Sequence, residues 1–189
     1  MSQLEESSLA PRLRVFVDAV ARLLGQDEAR IVADGSALLR GLLVHDDWLP
    51  PQAARPDPRH YRQYLLYRDP NARFSVVSFV WGPGQSTPLH DHTVWGLIGL
   101  LRGAEISQGY RRRADGALEK DGEPQRLEAG EVTAVSPSLG DIHQVFNAYD
   151  DRVSIGIHVY GADIGAVDRS VYTLDGAVKP FRSGYAAFT

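Results

Sequence analysis

Hydrophobic positions follow two different periods along the chain. Between residues 12 and 45, Leu13, Phe16, Val17, Val20, Leu23 and Leu24 form one stripe, and Ile31, Leu38, Leu39, Leu42 and Leu43 a second. Their spacing matches α-helices that each bury one face. Pro11 suits a first helical turn and Gly25 a helix end. Residues 9–45 are therefore expected to form an antiparallel helix pair with a short connection. The next stretch, WLPPQAARPDPRH, has four prolines in thirteen residues and is expected to run extended as a linker over a surface.

From Tyr61 the period shortens. Residues 61–67, 74–81, 94–101, 104–112, 131–135, 143–149 and 152–160 read as short strands. Turn signals lie between them at RDPN, GPG, RADG, KDGE, SPSLGD and NAYDD. Many short strands at near-regular spacing predict a sandwich, jelly roll or barrel. The expected architecture is a single mainly-β domain, with its core at residues 61–160 and a helical segment in front. Residues 161–189 carry mixed signals and read as loops closing over part of the core. No internal repeat or low-complexity tract interrupts the pattern.

Composition narrows the chemistry. A length of 189 residues suits one domain. The absence of cysteine excludes disulfides, thiolate catalysis, zinc ribbons and iron–sulfur clusters. No apolar run approaches the roughly 18 residues of a membrane span. The opening MSQLEESSLA is too acidic and polar for a signal peptide, so a cytoplasmic location is expected. The net charge of −4 disfavours non-specific nucleic-acid binding, and Arg111, Arg112 and Arg113 read as a solvated strand end. The sequence gives no oligomeric state.

Two of the six histidines, His90 and His92, form an H-x-H pair. On a strand, residues i and i+2 share a face, so both imidazoles could reach one metal ion. His143, on a later β-run, is a plausible third ligand. Gly84 precedes the pair as G-x5-H-x-H, and Gly130, Pro137, Gly140, His143 and Asn147 follow as G-x6-P-x2-G-x2-H-x3-N. Residues 84–147 thereby resemble the two motifs of the cupin superfamily, G-x5-H-x-H-x(3,4)-E-x6-G and G-x5-P-x-G-x2-H-x3-N. The resemblance implies a double-stranded β-helix with a metal inside. Gly96 stands where those motifs place a glutamate ligand, with six residues between it and Gly103. Three neutral imidazoles would leave the metal its full charge and open positions. Glu105 matches no ligand slot and reads as an ordinary charged residue.

The string HDHTVWGLIGLLRG, with YRQYLL before it and DRVSIGIHVYG after it, is similar to the thiol dioxygenase family. The closest likeness is to bacterial members that take 3-mercaptopropionate. These cupins convert a thiol to a sulfinic acid with O2. The resemblance implies Fe(II) held by His90, His92 and His143. It also implies catalytic roles for His158 and Tyr160, which belong in the family to a Ser-His-Tyr hydrogen-bonded chain. Gly156 stands at the serine position, and Ser154 does not substitute by spacing. The chain is therefore expected to be truncated, or completed by water. Tyr61 and Gln63 fall at the substrate end. Cysteine-specific members carry arginine where this chain has Gln63, and an amide can hydrogen-bond a carboxylate but brings no charge. Arg169 is the candidate to neutralise the substrate carboxylate, with Arg73 and Arg102 weaker choices. Arg62 is expected to face away from Gln63. Without cysteine, the cysteine–tyrosine crosslink of some members, which would fall near Gly96 or Leu97, is impossible. The expected partners are thus a small thiol carboxylate and O2. Alternatives are cysteine dioxygenase or a broader thiol dioxygenase, a non-catalytic metal-binding cupin, and a zinc or manganese hydrolase or isomerase.

Overall fold

The computed structural model describes residues 9–188. The polar opening read against a signal peptide lies, for residues 1–8, outside them. Two helices come first, α1 (Pro11–Leu23) and α2 (Glu28–Leu43). Pro11 occupies the first turn of α1, where a missing N–H costs nothing. The Asp27 carboxylate caps α2 by accepting from the Arg30 N–H at 2.8 Å. The proline-rich segment contains one 3₁₀ turn, Pro51–Ala54, rather than running extended throughout. It is also anchored inward: Trp48, Leu49 and Ala53 are buried, and the Trp48 indole donates to the His45 carbonyl at 2.7 Å.

Eleven strands follow among the described residues: β1 (Arg62–Arg68), β2 (Ser75–Trp81), β3 (Leu89–His90), β4 (Gly96–Arg102), β5 (Ala104–Arg112), β6 (Leu118–Glu128), β7 (Val132–Val135), β8 (His143–Asn147), β9 (Ser154–Tyr160), β10 (Arg169–Tyr172) and β11 (Val178–Phe181). They form two antiparallel sheets. The first has the order β1-β2-β9-β4-β7, the second β11-β10-β3-β8-β5-β6.

Strand alternation sorts the first sheet into two faces. Val76 and Val80 of β2, Leu97 and Leu101 of β4, and Ile155, Ile157 and Val159 of β9 share one apolar cluster with Leu13, Phe16, Val20, Leu39 and Leu43 of the helices. The intervening positions, Val77, Phe79, Trp81 and Tyr160, belong to a second cluster with Val145 of the opposite sheet. The helices thus plug one face of the sheet, and the other lines the barrel interior. Glycine makes the helix contact close. A Cβ on Gly99 would lie 2.6 Å from Leu43 Cδ1, and one on Gly35 would lie 2.7 Å from Leu97 Cδ1.

Four strands depart from the sequence reading. β3 is two residues long. β6 runs through the KDGE stretch read as a turn, with Gly122 at φ 68° close to a register shift against β5. β10 and β11 lie in the segment read as loops. β10 pairs with β3, setting Val171 opposite His90. That pairing brings the C-terminal segment to the histidines.

Candidate active site

His90 and His143 are direct partners across β3 and β8, and His92 lies just beyond β3. One ligand atom from each of the three histidines lies within 4.8 Å of the others. Strand alternation alone does not place His92. Asp141 does: its carboxylate accepts from the His92 N–H at 3.0 Å and meets His92 Nδ1 at 2.9 Å. The other carboxylate oxygen accepts from the Thr93 N–H at 2.8 Å, holding Thr93 at φ 60°. For a threonine that backbone is strained and persists only where its surroundings hold it.

Each Nδ1 has an outer partner. His90 Nδ1 meets the Pro88 carbonyl at 3.0 Å, His92 Nδ1 meets Asp141, and His143 Nδ1 meets Ser107 Oγ at 3.0 Å. That pattern fixes the tautomer and directs Nε2 inward, as metal-ligating histidines require. His143 Nε2 is buried with no hydrogen-bond partner. Burial favours the neutral ring in all three, lowering His90 to about 4 and His92 and His143 well below their ordinary value. Neutral imidazole is the form that binds metal.

Beside the triad, Tyr160 stacks on His92 with ring centroids 5.3 Å apart. Gly96 makes room for it: a Cβ there would lie 2.9 Å from the tyrosine ring. Tyr160 Oη lies 2.9 Å from His158 Nδ1. At the far side of that imidazole, Nε2 is buried and unpartnered. Burial lowers His158 to about 3 and raises Tyr160. Ser154 cannot serve as the missing serine, because its hydroxyl donates to the Ala104 carbonyl at 2.9 Å.

Arg169 opens β10 and is only 5% exposed, yet among the described residues no carboxylate lies within ion-pair distance of it. One guanidinium nitrogen donates to Ser183 Oγ at 2.7 Å, Nε has no partner, and the group lies over the Phe181 ring. Its charge is felt at Tyr61, His90, His92 and Tyr160. Tyr61 stacks on Phe79 and tilts against Trp81. Gln63 is buried, but its amide nitrogen already donates to Ser183 Oγ at 2.8 Å and to the Gly184 carbonyl at 2.7 Å. Both N–H bonds hold the C-terminal strap, leaving the amide oxygen as its free function. The other arginines are engaged elsewhere: Arg62 with Asp57, Arg73 with Asp69 and Arg102 with Asp46.

Glu105 corrects the sequence reading most sharply. It is 2% exposed, and one carboxylate oxygen has no partner. Burial raises it to about 8. Its alternation with Ser107, which bonds His143, turns it into the barrel. It lines a cavity of about 610 Å³ together with Ile98, Ser107 and His143. Asp141, Ser107, Asp91 and Ser183 were also missed. Asp91, between the two ligand histidines, grips β10 by accepting from the Ser170 N–H at 2.8 Å and the Tyr172 hydroxyl at 2.6 Å. The sequence offered a signal for the two aspartates only: acidic residues within two positions of the clustered histidines, Asp91 between His90 and His92 and Asp141 in DIH.

Two antiparallel sheets closed around histidines from an H-x-H pair and a later strand define a cupin, a double-stranded β-helix with a three-histidine site able to hold a metal. Within that class the chain belongs to the cysteine dioxygenase type I family, which it matches over residues 46–169. It is 24% identical over 117 residues to a cysteine dioxygenase type 1 of Danio rerio, a match covering 60% of this chain and 56% of that relative. The matched region thus spans little more than half the relative's length. Among solved structures, a protein with a double-stranded β-helix domain from Klebsiella pneumoniae aligns with a TM-score of 0.50 at 18% identity, covering 67% of this chain and 92% of that one. A cupin 2 conserved barrel domain protein from Salinispora arenicola aligns with a TM-score of 0.44 at 24% identity, covering 63% of this chain and 90% of that one.

Proposed function

We propose that the protein is an iron(II)-dependent thiol dioxygenase that converts 3-mercaptopropionate to 3-sulfinopropionate, both oxygen atoms of O2 ending on sulfur. The observation that carries this reading is Arg169, a buried cation with no carboxylate of its own beside a three-histidine site. A buried unpaired charge is costly, and an anionic substrate would satisfy it.

The donor set fits a divalent metal: three neutral imidazoles, each with Nδ1 engaged, and no carboxylate in the cluster. Iron(II) bound by His90, His92 and His143 would supply the redox coupling between O2 and sulfur. The protein's own groups do the rest. Arg169 binds the substrate carboxylate, with Ser183 holding the guanidinium in place. Tyr160, oriented by His158, offers its hydroxyl to the reacting end of the substrate. Phe79, Trp81 and Tyr61 form an apolar aromatic wall beside His158. Gln63 acts through the strap rather than as a carboxylate donor.

L-Cysteine is the alternative substrate. It is favoured by the family match and by the free Gln63 oxygen, which can accept from an α-ammonium group. O2 consumption by the iron-loaded protein, measured on 3-mercaptopropionate, L-cysteine, cysteamine and mercaptosuccinate side by side, tests the reading. The expected order puts 3-mercaptopropionate first and cysteamine, which lacks a carboxylate, last. Fastest turnover on cysteine would move the assignment to cysteine dioxygenase. Zinc in the purified protein and no O2 uptake on any thiol would overturn it.

A further inference from the structure

Among the buried polar atoms of the described residues that hydrogen bonds leave unused are His158 Nε2 and a carboxylate oxygen of Glu105. They lie on facing sheets. Where β5 meets β9, the Ala104 N–H donates to Ser154 Oγ at 3.1 Å. Glu105 is the next residue on β5 and turns inward there. Gly156 and His158 turn inward from β9, and His158 is the register partner of Ile98. Ile98 and Glu105 line the same cavity. A serine at 156 would not fit this arrangement, because its Cβ would lie 2.6 Å from His158 Nε2.

We propose that Glu105 is the positioning residue for His158, its carboxyl group setting the imidazole tautomer through a water drawn from the cavity. Neither atom has a direct partner, and one water between them would satisfy both, such a bridge being nearly as good as a direct bond. Among the described residues no cation pairs with Glu105, and burial raises its carboxyl to about 8, so the protonated form prevails at neutral pH. A protonated acid donates. The water passes that polarity on and donates to Nε2, leaving the ring proton on Nδ1. Nδ1–H then donates to Tyr160 Oη, 2.9 Å away. The tyrosine O–H is thereby free to point at substrate. Without the donor, the proton moves to Nε2 and Tyr160 turns its O–H back onto Nδ1. That Tyr160 acts on substrate rests on the proposed function; the tautomer does not.

The test is the ¹⁵N spectrum of His158 in the full chain loaded with zinc as a diamagnetic metal, for the wild type, Glu105→Gln and Glu105→Leu. The wild type is expected as the Nδ1–H tautomer. Glu105→Leu is expected to move most of the population to Nε2–H. Glu105→Gln keeps an N–H donor and is expected to retain Nδ1–H. In the iron-loaded protein, Glu105→Leu should lower kcat about 10-fold with little change in KM, and Glu105→Gln should recover most of it. A wild type found as Nε2–H, or a tautomer unmoved by Glu105→Leu, overturns the proposal. Failure of every thiol as substrate with the tautomer shift intact would overturn the proposed function and leave this inference standing.

Discussion

The two sheets of the barrel are built to different rules. In the first sheet, every residue of β2 and β9 is buried, and its faces pack against helices on one side and the interior on the other. The second sheet is exposed along most of β6, yet it carries His90 and His143, and Ser107 and Glu105 beside them. One sheet is scaffold on its helix-facing side, where the Ser78 and Tyr64 hydroxyls only anchor the proline-rich segment by donating to the Ala53 and Arg55 carbonyls. The other trades burial for polar side chains, its inner face carrying histidines of the cluster and its outer face meeting solvent along β6. The mix is sharpest at β9, whose outward positions are Ile155, Ile157 and Val159 and whose inward positions include His158 and Tyr160. Damage to the two kinds of position should therefore separate stability from function.

The largest separation is expected at the histidines. His143→Ala should abolish stoichiometric metal binding by the purified protein while the fold persists, as metal analysis alongside circular dichroism would show. Loss of a ligand should exceed the roughly 10–100-fold typical of losing its outer partner, so Ser107→Ala is expected to weaken metal binding only by that smaller factor. If His143→Ala kept full metal content, His143 would lose its assignment.

The opposite pattern is expected at Leu39 of α2, which is fully buried against Gly99 of β4. Leu39→Ala should cost about 2–5 kcal/mol in denaturant unfolding, the usual range for a buried leucine. Metal content and substrate preference should stay unchanged in the folded fraction. A loss of metal at full stability would contradict the division between the sheets.

Glu105 should break the comparison in a third way, because it is a functional position that lowers stability. Its carboxyl is held at about 8 in the folded protein against an ordinary 4.5. Between those values the unfolded chain has released the proton and the folded chain keeps it. The folded state binds more protons, so stability falls as pH rises through that window. Glu105→Leu removes the slope. The variant should be little changed near pH 4.5 and more stable than the wild type by on the order of a few kcal/mol at pH 8. Parallel unfolding curves at both pH values would show that the carboxyl titrates normally.

Tyr160→Phe is expected to have the smallest effect on structure. It keeps the ring that packs on His92 and Gly96 and removes only the hydroxyl. Metal content should stay near normal while turnover falls by about 10-fold, the equivalent of one hydrogen bond of about 1.4 kcal/mol. Unchanged turnover and O2 coupling would make this part of β9 purely structural.

The same division explains what the sequence could reveal. The helices were legible because each has an amphipathic stripe, and the first sheet because its strands are apolar runs between turn signals. The three clustered histidines stood out through the H-x-H pair together with the resemblance of residues 84–147 to the two cupin motifs. β6 was not legible, since an exposed strand with polar residues on both faces has no alternation to read. β10 and β11 were missed because they are four residues each and owe their form to pairing at the edge of β3; Pro180 in β11 further disguised it. Arg169 was found as a residue but not as a buried one, since its burial depends on that edge pairing. Glu105 and the occupied Gln63 amide were invisible for a related reason. Both depend on contacts across the fold, and a glutamate in sequence gives no sign of which way its strand faces.

Recognition of a thiol substrate's carboxylate by Arg169 can be isolated by comparing Arg169→Leu with the wild type on two thiols. Steady-state O2 consumption would be measured for wild type and variant on 3-mercaptopropionate and on cysteamine. A hydrogen bond to a charged group contributes about 1.5–3 kcal/mol, which at about 1.4 kcal/mol per decade is roughly 10- to 100-fold. The account predicts a loss of that size in kcat/KM for 3-mercaptopropionate and little or none for cysteamine, with metal content unchanged. An equal loss on both thiols, or none on either, would contradict it.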